Sequence, residues 1–390
     1  MIYDMICKEV FCMNIGIICE YSPFHNGHLY HIKKIKKLYP NSNIILVMSS
    51  SFLQRGDVSI LNKWDKTDIA LNYGIDLVIE LPFVFSSQSA DIFSKGAIEI
   101  LKNMKVDKII FGSEENDIEK LKNIAKIQID NKKFDNNVKS YLNKGINYPT
   151  ALSNSIKDIL GYTITNPNDL LGISYIKEIL KQNANIEPIC IKRTNDFHSK
   201  KLNSRITSAT SIREAIKKRK NIKKYVPKLT YKYLKKEKHL IDDYFPYLKY
   251  KILTEDNLSK FQTVDEGIES RIKKAITNSN SFDELINNIK TKRYTYNKIS
   301  RMLIHILCNF TKEEAKDIKS EYIRVLGFNE NGKKYLNKIK KELELPLITG
   351  YSNINSKNLD IEMRVSNIYN SFNNKTILLD REYKTSPIIR

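Results

Sequence analysis

The sequence predicts an α/β protein, a Rossmann-like, doubly wound parallel sheet followed by a mostly helical, basic C-terminal domain. Short apolar runs rich in Ile and Val alternate with amphipathic segments through the first 220 residues. Runs that are apolar on both faces suit strands of a parallel sheet, because helices cover both sides of such a sheet. Beyond about residue 220, apolar positions recur at three- and four-residue spacing, which is typical of helices.

Five apolar runs are predicted strands, separated by segments with helical spacing. The strands are Ile15–Cys19, Ile44–Met48, Leu77–Leu81, Lys108–Phe111 and Glu187–Lys192. The amphipathic segments are 62–73, 89–103, 116–128 and 169–181. Ligands of open α/β sheets bind beyond the carboxyl ends of the strands, where the strand order reverses. Residues that directly follow these strands are therefore the first candidates for a site.

Beyond about residue 220, the sequence predicts a mostly helical structure. The helical segments are 268–278, 282–290, 296–308, 312–320 and 331–343. We divide the chain into an N-terminal arm over 1–12 that we expect to be disordered, a sheet domain over 13–220 and a helical domain over 221–390.

The positive charge lies mostly in the second half. Residues 201–390 carry 40 Lys and Arg against 22 Asp and Glu, whereas residues 1–200 carry 25 and 22. A basic half beside a near-neutral half predicts one part for chemistry and one for a polyanion, although a lysine-rich composition is the alternative explanation. No apolar run approaches the 18 residues of a membrane helix, and the five cysteines form no C-x-x-C pair. We expect a cytoplasmic protein with reduced thiols, no metal site and no membrane contact.

The motif His25-Asn26-Gly27-His28 lies where the first strand is followed by a helix. The N-terminus of a helix carries unpaired N–H groups and the positive end of the helix dipole, so it attracts phosphate. Gly27 allows a close backbone approach, and the imidazoles can donate hydrogen bonds to phosphate oxygens that gain charge during nucleotidyl transfer. A turn with two surface histidines is the alternative interpretation of the motif taken alone.

This motif opens a longer match to a known family. Tyr21–His28 resembles the opening of the bacterial tRNA(Met) cytidine acetate ligases, within the H-x-G-H nucleotidylyltransferase superfamily. Further blocks resemble the family in the same order, namely Val47–Ser49, Phe52–Asp57, Asp76–Pro82, Phe111–Glu114 and Ser208–Arg213. The resemblance implies a sheet of the nucleotidylyltransferase type, with an ATP-binding domain over 13–220 and a tRNA-binding domain over 221–390.

The resemblance also implies an activity. ATP, with Mg²⁺, and acetate would form acetyl-adenylate and pyrophosphate. The N4 amine of the wobble cytidine of elongator tRNA(Met) would then attack the anhydride to give N4-acetylcytidine and AMP. Two alternatives stay open at this point. One is a nucleotidylyltransferase of a cofactor pathway that uses the same histidines, and the other is an RNA-binding module with an inactive nucleotide fold.

The family pattern assigns roles to individual positions of this chain. His25 and His28 are expected to be catalytic. The floor of the ATP site is expected to consist of Ile18, Cys19, Glu20, Tyr21, Ser22, Pro23, Phe24, His25, Asn26, Gly27, His28, Leu29, Tyr30 and His31. Further ATP contacts are expected from Gly112, Asn168, Arg193, Ser208, Thr210 and Arg213. Ser208 is a natural N-cap, and Arg213 in the first turn of that helix can direct its guanidinium at the β- and γ-phosphates.

Three positions depart from the family pattern, and one basic segment is expected to contact RNA. Ser22 and Asp169 each replace an asparagine, and Ser50-Ser51 replaces a Gly-Asn pair where the activated acid is expected. The expected tRNA contacts are Lys292, Arg293, Tyr294 and Arg301. Phosphates bind Lys and Arg, while unstacked bases stack on Tyr, so interleaved cations and aromatics suit RNA.

Overall fold

A computed structural model describes residues 13–193, 206–291, 294–351, 354–372, 382–383 and 386–390. The predicted arm over 1–12 lies outside these residues. In the part of the chain that the structure describes, eight strands form one sheet in the order β5-β4-β1-β2-β3-β6-β7, with β8 paired to β6. The strands are β1 (Asn14–Cys19), β2 (Asn43–Ser49), β3 (Leu77–Leu81), β4 (Lys108–Ser113), β5 (Glu187–Lys192), β6 (Ile323–Phe328), β7 (Leu347–Ile348) and β8 (Ile388–Ile389).

The predicted fold class is confirmed. The first five strands pair in parallel, and β1 lies between β2 and β4, so the strand order reverses at β1. Each predicted strand is present, with ends that differ by at most two residues. The sequence predicts these strands from runs of Ile and Val without alternating polar residues. Such runs are typical of strands that are buried on both faces.

Helices cover both faces of the sheet and make up most of the C-terminal part. In the first half they are α1 (Asn26–Leu38), α2 (Lys63–Asn72), α3 (Phe83–Ser86), α4 (Ala90–Asn103), α5 (Ile118–Ile129), α6 (Lys132–Asn143), α7 (Tyr148–Leu160) and α8 (Pro167–Lys181). The later helices are α9 (Ala209–Lys217), α10 (Lys228–Lys236), α11 (Phe245–Thr254), α12 (Ile268–Ile276), α13 (Phe282–Ile289), α14 (Tyr296–Leu307), α15 (Glu330–Ile339) and α16 (Lys357–Ser371). Short 3₁₀ helices cover Ile241–Tyr244 and Leu258–Lys260. None of the helices in the described ranges is long and apolar enough to span a membrane.

Two features of the C-terminal part differ from the sequence prediction. The predicted helix over 312–320 is wrong, because residues 312–317 form consecutive turns and 318–320 have no regular structure. The chain also returns to the sheet in its last quarter, where β6 pairs antiparallel with β3. The sequence pattern indicates no strand at β6. Its antiparallel pairing with β3 extends the sheet beyond the five parallel strands.

A buried ionic cluster joins this returning segment to the first half. The Lys63 ammonium lies 2.5 Å from a Glu80 carboxylate oxygen and 2.9 Å from Glu382, and the Arg324 guanidinium lies 3.3 Å from Glu80 and 3.0 Å from Glu382. Each of these side chains is at most 3% exposed. Burial alone would raise the pKa of Glu80, but Lys63 and Arg324 outweigh it and hold that pKa below its usual value. The cluster therefore ties α2 and β3 to β6.

We expect Lys63→Met to destabilise the protein by about 3 to 5 kcal/mol, because it leaves buried carboxylates without one of their two cations. Urea unfolding followed by circular dichroism measures this loss. Lys122→Met is the matched control, since Lys122 pairs with Glu119 on the surface of α5 and such pairs contribute about 0 to 1 kcal/mol. Equal effects of the two substitutions would contradict the stabilising role of the cluster.

Candidate active site

A cavity of about 880 Å³ lies beyond the carboxyl ends of β1, β4 and β5. Its wall includes the turn into α1, the segment that follows β2, and residues at the N-terminal ends of α7, α8, α9 and α14. This is the place where open α/β sheets bind ligands, and the volume falls within the range of about 300 to 1,000 Å³ found for small-molecule sites.

The two histidines form a stacked pair at the N-terminus of α1. His25 is the N-cap residue, and its Nδ1 accepts a hydrogen bond from the Gly27 N–H at 3.0 Å. The Nδ1 of His28 accepts from the His25 N–H at 3.3 Å, and the ring centroids lie 3.8 Å apart. Because each Nδ1 is an acceptor, a neutral ring carries its proton on Nε2. Both side chains line the cavity, so each is placed to offer a bound anion an Nε2–H donor.

Burial keeps this pair uncharged. Burial, reinforced by Arg193 and Arg213, lowers the pKa of His25 to about 3. Burial also lowers the pKa of His28, and the neighbouring His25 lowers it further. Gly27 is required by this packing, because a Cβ there would lie 2.8 Å from an atom of the His25 ring. The pair is therefore uncharged at neutral pH, with an N–H on each Nε2.

A second set of polar groups faces the cavity from α9. Ser208 caps this helix, and its hydroxyl accepts from the Ser211 N–H at 3.1 Å. Arg213 donates to the Ser22 carbonyl at 2.8 Å, and its Nε lies 3.2 Å from an Asp57 carboxylate oxygen. Thr210 lines the cavity with them. The helix end and the anchored guanidinium suit a polyphosphate.

A third group lies at the ends of β4 and β5. The Arg193 Nε lies 3.4 Å from a Glu114 carboxylate oxygen, and the Asn168 amide donates to the same carboxylate. A Cβ on Gly112 would lie 3.1 Å from the Arg193 side chain. Gly112, Asn168 and Arg193 thus meet at one side of the cavity, as the family pattern implies. Asp169, which departs from that pattern, is fully buried and accepts from the Glu115 N–H at 3.0 Å.

The structure separates the predicted floor residues into two sets. Those that line the cavity beside the histidines and Gly27 are Ile18, Cys19, Glu20, Tyr21, Ser22, Tyr30 and His31. Those outside its lining are Pro23, Phe24, Asn26 and Leu29. Phe24 is fully buried against the Tyr73 ring, and the Asn26 side chain donates to the Lys224 carbonyl at 2.9 Å. These residues support the turn from behind.

The predicted tRNA contacts also separate. Tyr294 is 6% exposed and donates its hydroxyl hydrogen to Glu266 at 2.8 Å, so its ring is not presented for base stacking. Arg301 lines the cavity together with Thr295 and Asn297. Lys292 and Arg293 lie outside the described residues.

Sequence reasoning missed the lysine that holds the strand ends. The fully buried Lys66 ammonium donates to the carbonyls of Glu20 at 3.1 Å, Ser49 at 2.7 Å and Ser50 at 3.0 Å. Burial lowers the pKa of Lys66 to about 7. The sequence of α2 gives no signal for this role, because its polar residues look like a solvent-exposed face, whereas nine of its ten residues are buried.

Ser50 itself lies away from the cavity lining. Its hydroxyl donates to Glu362 on α16 at 2.6 Å, and Ser51 is 4% exposed. The departure from the family pattern at these two positions therefore alters the packing beneath the cavity rather than its surface.

Known proteins resemble this chain over nearly its whole length. The family model described as HIGH Nucleotidyl Transferase matches residues 13–383. Proteins named tRNA(Met) cytidine acetate ligase from Anoxybacillus flavithermus and Clostridium novyi are each 40% identical to it, over 96% of this chain and 99% of theirs.

The chain belongs to the tRNA(Met) cytidine acetate ligase family. The crystal structure of Thermotoga maritima TmcAL superposes with a TM-score of 0.90 at 27% identity, covering 97% of this chain and 99% of that one. A second structure of that protein, bound with alpha-thio ATP, gives a TM-score of 0.88 at 28% identity over the same shares. A member of the family with this fold thus binds an ATP analogue.

Buried neutral histidines should make the ligand-free protein sensitive to acid. Burial also lowers the pKa of His31 and of His305 to about 4 each, whereas an unfolded chain titrates near 6.5. Below pH 6.5 the unfolded chain binds more protons, so this stability is present above 6.5 and lost as the pH falls. We expect each such histidine to cost about 1 kcal/mol between pH 6.5 and 5.5.

Urea unfolding at each pH, for the wild type and His31→Gln, measures this effect. Between pH 6.5 and 5.5, the free energy of unfolding of the variant should fall by about 1 kcal/mol less than that of the wild type. Parallel curves for the two proteins would contradict the lowered pKa of His31.

Proposed function

We propose that this protein is an ATP-dependent tRNA(Met) cytidine acetate ligase. It activates acetate as acetyl-adenylate and then acetylates N4 of the wobble cytidine of elongator tRNA(Met), in the cytoplasm. The observation that carries the proposal is the stacked, neutral histidine pair, which offers two Nε2–H donors to the cavity that Arg213 also lines, in a chain 40% identical to proteins of that name. ATP enters with Mg²⁺.

The first step is a displacement at the α-phosphate of ATP. A carboxylate oxygen of acetate bonds to the α-phosphorus, and the bond from that phosphorus to the bridging oxygen of pyrophosphate breaks. Negative charge grows on the phosphate oxygens, where His25, His28 and Arg213 are placed to donate hydrogen bonds. Donors fixed beforehand lower this barrier because they need no reorganisation during the reaction.

The second step consumes the anhydride. The N4 nitrogen of cytidine bonds to the acetyl carbon, AMP leaves with the electron pair of the broken C–O bond, and the nitrogen loses one proton. A cofactor-pathway nucleotidylyltransferase would use the same histidines without RNA. ATP–pyrophosphate exchange with and without acetate, then with total tRNA, separates these two functions.

Basic residues beside the histidine motif support RNA as the second partner. A cleft of about 830 Å³ is lined by Asn26 and by the segment 220–226, including the exposed Lys220, Lys223 and Lys224. The Asn26 N–H donates to the Tyr225 carbonyl at 3.1 Å, so this basic segment is anchored on the turn that holds the histidines. An RNA phosphate bound here would lie next to the catalytic motif.

We expect His25→Asn and His28→Asn to lower acetate-dependent pyrophosphate exchange by about 10² to 10³ each, because Asn keeps an acceptor near Nδ1 but lacks the Nε2–H donor. Binding of tRNA should stay nearly unchanged. Lys33→Gln, at an exposed position of α1, is the control. Wild-type exchange in either histidine variant would overturn the assignment.

We expect the double variants Lys223→Gln/Lys224→Gln and Lys292→Gln/Arg293→Gln each to bind tRNA more weakly. The slope of log affinity against log salt should fall by about one for each phosphate that the variant no longer binds. Formation of acetyl-adenylate should persist, since Lys223 and Lys224 do not line the described cavity. Lys333→Gln/Lys334→Gln, two exposed positions of α15, is the matched control. A double variant that binds tRNA normally at every salt concentration would contradict the assignment of its two residues to the tRNA-binding surface.

A further inference from the structure

Arg301 is a cation of α14 that faces the cavity. Its guanidinium donates to the Gln54 carbonyl at 3.3 Å, and the structure pairs it with no carboxylate among the residues it describes. A guanidinium carries five N–H donors, so one carbonyl contact leaves most of them for a ligand. Burial lowers the pKa of Arg301 to about 10, which leaves it charged at neutral pH but poorly hydrated.

The base of this side chain is fixed by the segment that follows β2. Gly56 has a φ of +77°, and a Cβ on it would lie 2.3 Å from the Arg301 backbone nitrogen. The Ser300 hydroxyl donates to the Gly56 carbonyl at 2.6 Å. Close backbone packing of this kind holds α14 in register, so the arginine enters the cavity from a set position.

The same segment connects Arg301 to the histidine motif. The Gln54 N–H donates to the Glu20 carboxylate at 2.7 Å, and Asp57 pairs with Arg213. The segment 54–57 therefore contacts the residue that follows β1, Arg213 of α9, and α14. A ligand group bound by Arg301 would lie across this segment from the residues that receive the triphosphate.

The sheet order decides which anion suits this position. The proposed reaction brings three kinds of anion, namely the triphosphate, RNA phosphates and the acid. His25, His28 and Arg213 already provide donors for the triphosphate, and Arg193 with Asn168 occupies the β4 and β5 side. Arg301 reaches the cavity beside the segment that follows β2, on the other flank of β1. The nucleophile of the α-phosphate needs a place on that flank, where Arg55 also lines the cavity.

We propose that Arg301 is the binding group for the carboxylate of the acid substrate. This inference rests on the proposed ligase function and deepens it. The guanidinium pairs with the carboxylate through parallel N–H···O bonds and holds it ionised in a buried site until an oxygen attacks the α-phosphate. Because this contact exists before the reaction, its removal raises the KM for the acid more than it lowers kcat.

The test is acetate-dependent ATP–pyrophosphate exchange, without tRNA, in Arg301→Gln and Arg301→Lys. We expect the KM for acetate to rise by about 10- to 100-fold in Arg301→Gln, as expected for losing hydrogen bonds to a charged group, and less in Arg301→Lys. The KM for ATP at saturating acetate and the Kd for tRNA should each stay within about twofold. Arg271→Gln, at an exposed position of α12, is the matched control for acetate.

Each other outcome overturns the inference. An unchanged KM for acetate refutes it, and weaker tRNA binding in its place assigns Arg301 to RNA. A raised KM for ATP alone assigns it to the triphosphate. If Arg301→Gln fails to give a cooperative thermal unfolding transition, the acetate KM of Arg301→Lys decides. Wild-type protein without acetate-dependent exchange overturns the proposed function as well, whereas wild-type exchange with an unchanged variant KM overturns only the role of Arg301.

Discussion

The chemistry of the site depends on two hydrogen bonds from the backbone to histidine Nδ1 atoms. These bonds cap α1 and fix the neutral tautomer of both rings at once. The same contacts stack the rings, and the stack needs Gly27, since any larger residue would collide with His25. One arrangement therefore caps α1 and orients both Nε2–H groups, and burial of the rings keeps them uncharged.

The segment 54–57 extends this arrangement to the rest of the molecule. Glu20 at the end of β1, Arg213 on α9 and Arg301 on α14 all contact it. Beneath it, Lys66 bonds to the carbonyls at the ends of β1 and β2. Residues from both halves of the chain thus meet at one turn, so the described C-terminal part helps to build the cavity as well as the surface around it.

The local parts of this structure could be predicted from sequence, and the long-range parts could not. A run such as Ile44–Met48 is apolar because it is buried on both faces, and His25 to His28 carries its geometry within one helical turn. By contrast, β6 contains Arg324, whose compensating Glu80 lies 244 residues earlier, and no local pattern reveals that pairing. Tyr294 suggests a stacking surface, yet its side chain is buried and its hydroxyl donates to Glu266. The sequence predicts an RNA contact for Arg301, and the structure places this side chain in the lining of the cavity, because charge alone does not indicate which surface a side chain faces.

The protonation state of the histidine pair can be measured by nitrogen-15 NMR of histidine-labelled protein, since the shifts of Nδ1 and Nε2 distinguish both tautomers and the charged form. We expect His25 and His28 to be neutral at pH 7, with the proton on Nε2, and an ATP analogue to shift those Nε2–H signals. Rings that are cationic at pH 7, or that carry the proton on Nδ1, would contradict the role of the pair as neutral donors.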